Sequence, residues 1–175
     1  MSEAEGYLDL ITVFADLWDL SPAIRDRLAE RALTALAHLD DADHSRPDVL
    51  YLQGQALRLM ERYDEAIDPL RQAAEQEPDN IHTYLALGWC YKRIGRLDFA
   101  IEALEDAFSV DPRRAIVHYN LACYWSLAGN TNLALAYLAS ALEIDPDYRE
   151  LVADEPDFDP IRNHPSFQEL TSVIV

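Results

Sequence analysis

The stretch YLALGWCYKRIGRLDFAIEAL, Tyr84 to Leu104, contains the pattern that decides the fold. Tyr84, Leu87, Gly88 and Tyr91 fall at i, i+3, i+4 and i+7, which is one face of an α-helix. Gly95-Arg96-Leu97-Asp98 is turn chemistry, with Asp98 available to cap the next helix. Ala100 and Leu104 then begin a second stripe, which Ala107 continues at i+7. The two stripes predict a helix, a turn and a second helix, with Gly88 and Ala100 letting the helices approach closely.

The same unit recurs every 34 residues. Ala66, Ala100 and Ala134 share the spacing, as do Leu70, Leu104 and Leu138, then Ala73, Ala107 and Ala141, then Pro78, Pro112 and Pro146. First helices carry Leu50, Gln53, Gly54 and Leu57 in one unit and His118, Leu121, Ala122 and Trp125 in another. Arg62-Tyr63-Asp64 and Gly129-Asn130-Thr131-Asn132 mark the other turns, with Asp64 and Thr131 or Asn132 as expected caps. Each unit ends in Glu-Pro-Asp or Asp-Pro, which stops one helix and starts the next. A fixed period of this length means that units stack, each burying a face it cannot bury alone.

These residues resemble the tetratricopeptide repeat (TPR) family, whose W-x2-L-G-x2-Y, A-x3-F and P pattern is matched by Tyr84, Leu87, Gly88, Tyr91, Ala100, Leu104 and Pro112. The resemblance implies an all-α fold: a right-handed α-solenoid of helix-turn-helix units with helical caps at both ends. It covers residues 47–80, 81–114 and 115–148. The departures are Gln53, His118 and Ala122, all in the outer units. The expected organisation is a single domain over residues 1–175. Residues 1–46 form a degenerate leading helical pair, since Ala32 and Leu36 lie 34 before Ala66 and Leu70. Its helices are expected from Tyr7 to Asp19 and from Pro22 to about Leu39, with Ser21 as N-cap and Pro22 at the first helical position. Residues 149–175 form a C-terminal capping segment, in which Phe158, Ile161, Phe167 and Leu170 are expected to cover the apolar face around Leu138 and Leu142.

A helical wheel at about 100° per residue divides each first helix into two flanks. One is mostly apolar: Val49, Ala56 and Met60; Thr83, Cys90 and Ile94; Val117, Tyr124 and Ala128. This flank is expected to pack on a neighbouring unit. The other mixes aromatic and polar groups: Tyr51, Gln55 and Arg58; Leu85, Trp89 and Lys92; Tyr119, Cys123 and Ser126. The resemblance implies that this second flank faces the concave groove. With Arg93 and Asn120 beside it, it is the expected peptide-binding surface, and Trp89 is expected to be presented there. Arg58, Lys92 and Arg93 form the basic cluster near it, which suggests an extended peptide bearing carboxylates. Cations in the last turn of a helix also complement its dipole without any ligand. The family's known carboxylate clamp needs Lys and Asn, then Asn, then Lys and Arg. The corresponding residues here are Tyr51 and Gln55, Ala86, and Ile116 and Asn120, so that clamp is absent and chaperone binding is not carried over.

Composition narrows the function classes. Thirty-two acidic residues against 14 basic ones give a formal charge of -18, so the chain repels nucleic acid and anionic membrane surfaces. No uncharged apolar run approaches the roughly 18 residues of a membrane span. The first residues lack a basic n-region and a cleavage site, and Cys90 and Cys123 lack CxxC spacing, so a cytoplasmic location with reduced thiols is expected. His38, His44, His82, His118 and His164 are scattered, with no HExxH, no zinc-type Cys/His spacing and no phosphate loop. No catalytic residue, metal or cofactor is expected. The leading expectation is a non-enzymatic adaptor that binds a peptide of a partner protein. The alternatives are a secretion-type chaperone and a self-assembling structural protein joined through Phe14 and Trp18 of the first helix.

Overall fold

The computed structural model of the chain describes residues 2–17, 21–40 and 42–172, without side-chain detail at residues 2 and 12–17, so the Phe14 side chain, Trp18 and the expected helix end at Asp19 lie outside what is described. Among them every regular element is helical: α1 (Ser2–Leu17), α2 (Pro22–Ala37), α3 (Pro47–Leu59), α4 (Tyr63–Gln76), α5 (Ile81–Arg93), α6 (Leu97–Val110), α7 (Ala115–Leu127), α8 (Thr131–Ile144), α9 (Tyr148–Val152) and α10 (Pro165–Thr171). A single 3₁₀ turn, Pro156–Phe158, lies between α9 and α10. The helices form two compact units, residues 1–94 and 95–175. The boundary falls at Gly95, inside the second 34-residue period.

The helix starts follow local chemistry, with some shifts from expectation. Pro22, Pro47 and Pro165 open α2, α3 and α10, where a missing N–H costs nothing. Asn80 accepts from the His82 amide at 3.2 Å and Asn130 from the Leu133 amide at 3.2 Å, so both are side-chain N-caps. Asp64 and Asp98 are not caps: α4 and α6 begin one residue earlier, and both aspartates sit in the first turn, where the helix dipole favours them. Ser21 makes no side-chain cap bond; its carbonyl accepts from the amides of Ile24 and Arg25. α1 starts at Ser2, five residues before the position expected, because Ala4 also belongs to its buried stripe.

In the first unit, Ala4, Leu8 and Ile11 of α1 pack with Ala29, Ala32 and Leu36 of α2 and with Val49 and Ala56 of α3. Farther along, Gly54 brings α3 onto α4: a Cβ there would lie 2.6 Å from Leu70 Cδ2, and Leu70 is wholly buried. The apolar flank is packed as expected, with Val49, Ala56, Thr83 and Cys90 all buried. In the second unit the recurring small-large-small stripe closes α6 and α8 on α7: Ala100, Leu104 and Ala107, and Ala134, Leu138 and Ala141, are at most 1 % exposed. His118 fills the first core position of α7, with Nε2 2.8 Å from the Pro112 carbonyl and its ring edge-on to Phe108.

The turns repeat as well. Glu61, Gly95 and Gly129, spaced by 34, all take left-handed φ, at 59°, 78° and 77°. Glycine accepts this conformation freely, whereas Glu61 holds it with a side chain attached. Its carboxylate receives a hydrogen bond from Arg25 Nη1 of α2 at 2.9 Å.

The C-terminal segment packs on α7 and α8, with Phe158, Ile161 and Phe167 buried and Leu170 half-buried. Phe158 stands edge-on to Tyr119 at 5.7 Å between ring centroids, and Phe167 lies 5.5 Å from Phe158.

Candidate functional site

The first unit carries a cleft of about 410 Å³ between α1, α3 and α5. From α3 it is lined by Tyr51, Leu52, Gln55, Arg58 and Leu59, and from α5 by His82, Leu85, Ala86 and Trp89. Leu8 and Asp9 of α1 close one side. The helical periodicity explains the convergence: 51, 55 and 58 are successive turns of one flank of α3, and 82, 85, 86 and 89 do the same on α5.

Inside the cleft the polar groups are held by one another. Arg58 donates from Nε and Nη2 to Gln55 Oε1, at 2.9 and 2.7 Å. Gln55 also hydrogen-bonds the Tyr51 hydroxyl. Burial raises the pKa of that phenol above its ordinary value, while the Gln55 bond and the Arg58 charge partly offset the rise. Tyr51 is therefore protonated at neutral pH, and the α3 wall is a fixed polar chain beside an aromatic ring. Opposite it, Trp89 is 38 % exposed and the Lys92 ammonium lies 5.2 Å from its ring, within cation–π range. One residue on, Cys90 is fully buried; desolvation pushes its thiol up to about 11, with Arg58 pulling in the opposite direction, so it is no nucleophile at neutral pH.

Of the residues expected at a groove, Tyr51, Gln55, Arg58, Leu85 and Trp89 come together here, with Lys92 over the indole. Arg93 does not line the cleft: its guanidinium lies 5.1 Å from the Tyr63 ring at the start of α4. On α7 the outcome differs from the exposed flank expected. Tyr119, Cys123 and Ser126 are 5 %, 2 % and 0 % exposed, and Asn120 beside them is half-buried. The physical reason is the Pro156–Phe158 turn, which packs on α7 and covers that flank with the chain's own residues. Leu8, Asp9, Leu52, Leu59, His82 and Ala86 were not expected at the cleft. The first two belong to α1, which lies outside the strict period and so gave no positional signal; His82 is one helical turn before Leu85 and Ala86, on the edge of the mixed flank.

Family comparison agrees with this architecture. Sequence profiles for the tetratricopeptide repeat match residues 27–81, 57–122 and 115–148. The chain belongs to the tetratricopeptide repeat family. As a TPR protein it is built from protein-interaction modules, a type that is typically non-catalytic. Its α-solenoid fold is shared with a crystal structure of MamA, 24 % identical over 84 % of this chain and 81 % of that one, with a TM-score of 0.65. It is shared also with YrrB, a TPR protein with an unusual peptide-binding site, 23 % identical over 87 % of this chain and 74 % of that one, with a TM-score of 0.62. No curated protein matches this TPR chain significantly in sequence. Among its described residues no helix is long and apolar enough to cross a membrane.

Proposed function

We propose that this TPR chain binds an extended peptide segment of a partner protein in the cleft between α1, α3 and α5. The observation that carries the reading is Trp89: a large apolar ring left more than one-third exposed, at the rim of a cleft already furnished with Tyr51 and the Gln55–Arg58 pair. Tyr and Trp bury much area at little entropic cost, and Arg is suited to carboxylates, so these types recur where binding energy is concentrated. With Arg58 inside the cleft and Lys92 above Trp89, in a chain of -18, the favoured ligand carries carboxylates beside an apolar or aromatic anchor.

The second unit supports the ligand class from within the chain. The flank of α7 that corresponds, by the 34-residue period, to Leu85, Trp89 and Lys92 of α5 is covered by the chain's own Glu155-Pro156-Asp157-Phe158, an acidic segment with an aromatic anchor. The relatedness in fold to YrrB adds a precedent for peptide binding, at the level of fold alone.

The test is selection from a displayed random-peptide library on the full chain, followed by affinity measurement on Trp89→Ala. Selected peptides should share carboxylates flanking an aromatic or large aliphatic residue. Trp89→Ala should bind them about 30-fold more weakly, the scale of an aromatic hot spot, with an unchanged helical spectrum. Equal binding by both proteins would remove the cleft as the site.

A further inference from the structure

In the second unit, three groups with metal-ligating atoms meet at the junction of α7 and the C-terminal cap. Cys123 Sγ and one carboxylate oxygen each from Glu155 and Asp157 all lie within 4.8 Å of one another. Cys123 is 2 % exposed and Asp157 8 %. An independent observation points the same way. Tyr119, 5 % exposed, has its hydroxyl oxygen buried without a hydrogen-bond partner. Tyr119 lies one helical turn before Cys123 on α7, and its ring stands edge-on to Phe158, the residue after Asp157, which sets the phenol beside the cluster. Buried hydroxyls in native structures nearly always have a partner, so this one marks a ligand position. The Tyr119 ring is fixed there by Tyr148, at 4.9 Å, and by Phe158.

The scaffold around these groups is rigid. Glu155 Oε1 accepts from the Asp157 amide at 3.1 Å, which ties the two acidic residues into one turn. Arg162 donates to the carbonyls of Val152, Ala153 and Glu155, at 3.4, 2.9 and 2.7 Å, and so ties the loop that carries Glu155. Such outer-shell bonds orient ligands before an ion arrives.

We propose that Cys123, Glu155 and Asp157 form a divalent-metal site, with the Tyr119 oxygen or a water completing four-coordination, and that the ion it takes is zinc or a similar thiolate-binding cation. A tetrahedral Zn²⁺ with sulfur at about 2.3 Å and oxygen at about 2.1 Å needs ligand atoms about 3.5 Å apart, so side-chain adjustment of about an ångström closes the cluster. The sulfur ligand selects against Mg²⁺ and Ca²⁺, which take oxygen only. On binding, the Cys123 thiol loses its proton to solvent and the thiolate forms the metal–sulfur bond. The ion neutralises negative groups gathered at a buried place in an already acidic chain and joins the cap to α7. Nothing in the linear sequence announced this, because Cys123 and Glu155 are far apart in the chain and only the folding of the cap onto α7 unites them.

Titration of the metal-stripped full chain with Co²⁺, then Zn²⁺, tests the site. The expected result is one equivalent of Co²⁺ with a thiolate-to-cobalt charge-transfer band in the near ultraviolet, displaced by Zn²⁺. Cys90→Ser should keep the band; Cys123→Ser should abolish it; Asp157→Asn should weaken binding at least about tenfold. Should Cys123→Ser fail to fold, Glu155→Gln carries the test, since its amide oxygen still caps the Asp157 amide while its affinity for the ion falls at least about tenfold. A wild-type chain that shows no band, or a band that survives Cys123→Ser or is lost in Cys90→Ser, overturns the site. The cleft of the first unit plays no part in either outcome.

Discussion

Trp89 and Cys90 are neighbours with opposite fates, and the difference is one of about 100° around α5. Trp89 opens onto the cleft, whereas Cys90 is wholly buried, and this burial carries a pH dependence. The thiol is held up to about 11 in the folded chain against an ordinary 9.0, so the folded state keeps a proton that the unfolded state releases. Stability from this group is full below pH 9 and is lost as pH rises through 11, by about 2 to 3 kcal/mol at the upper limit. Cys90→Ala should lower stability at neutral pH and flatten the decline between pH 9 and 11, measured by urea unfolding at stepped pH. A parallel decline in both proteins would mean that the thiol is not desolvated. At this scale the sequence was readable where the helix period applied: the wheel separated Trp89 from Cys90 and drew Tyr51, Gln55 and Arg58 to one side. It misassigned Arg93, because the pull of the Tyr63 ring is a contact between helices that no wheel contains.

Among the elements, the position shared by Glu61, Gly95 and Gly129 separates backbone strain from side-chain pairing. Two glycines take the left-handed turn at no cost, while a residue with a Cβ sits there at about 1 kcal/mol or more. Glu61 recovers part of this through Arg25, in a partly exposed pair worth about 1 kcal/mol. Glu61→Ala loses the pair and keeps the strain; Glu61→Gly loses the pair and the strain together. The glycine variant should therefore be more stable than the alanine variant by about 1 kcal/mol in thermal unfolding, and equal stability would show that the turn is unstrained. The helices themselves were legible from the 34-residue period, because every stripe is written in small and large apolar residues that local physics forces inward. The caps were less so. Asp64 and Asp98 have cap chemistry, yet each follows the true N-cap by two positions and serves the first turn instead.

For the whole molecule, the decisive element is the non-periodic C-terminal segment, whose covering of α7 no repeat pattern could reveal. Its apolar residues were recognisable as a cap; that they would also occupy the mixed flank of α7 was not, since the prolines set a path that only three-dimensional packing specifies. Phe158 is its anchor, fully buried among Tyr119 and Phe167. Phe158→Ala should cost about 3 to 5 kcal/mol and show first as faster amide hydrogen exchange along α7 and α8, the elements it covers; exchange quickened only within residues 156–171 would mean that the cap is a dispensable appendage. The same covering has a consequence for competition. Glu155 to Phe158 are tethered to α7 by a short connection from α8, and a short tether gives an effective concentration of millimolar order. A soluble peptide at micromolar concentration competes for that surface at a disadvantage of about a thousandfold, so the α7 flank is closed to visitors, and the proposed peptide site is confined to the cleft lined by α1, α3 and α5.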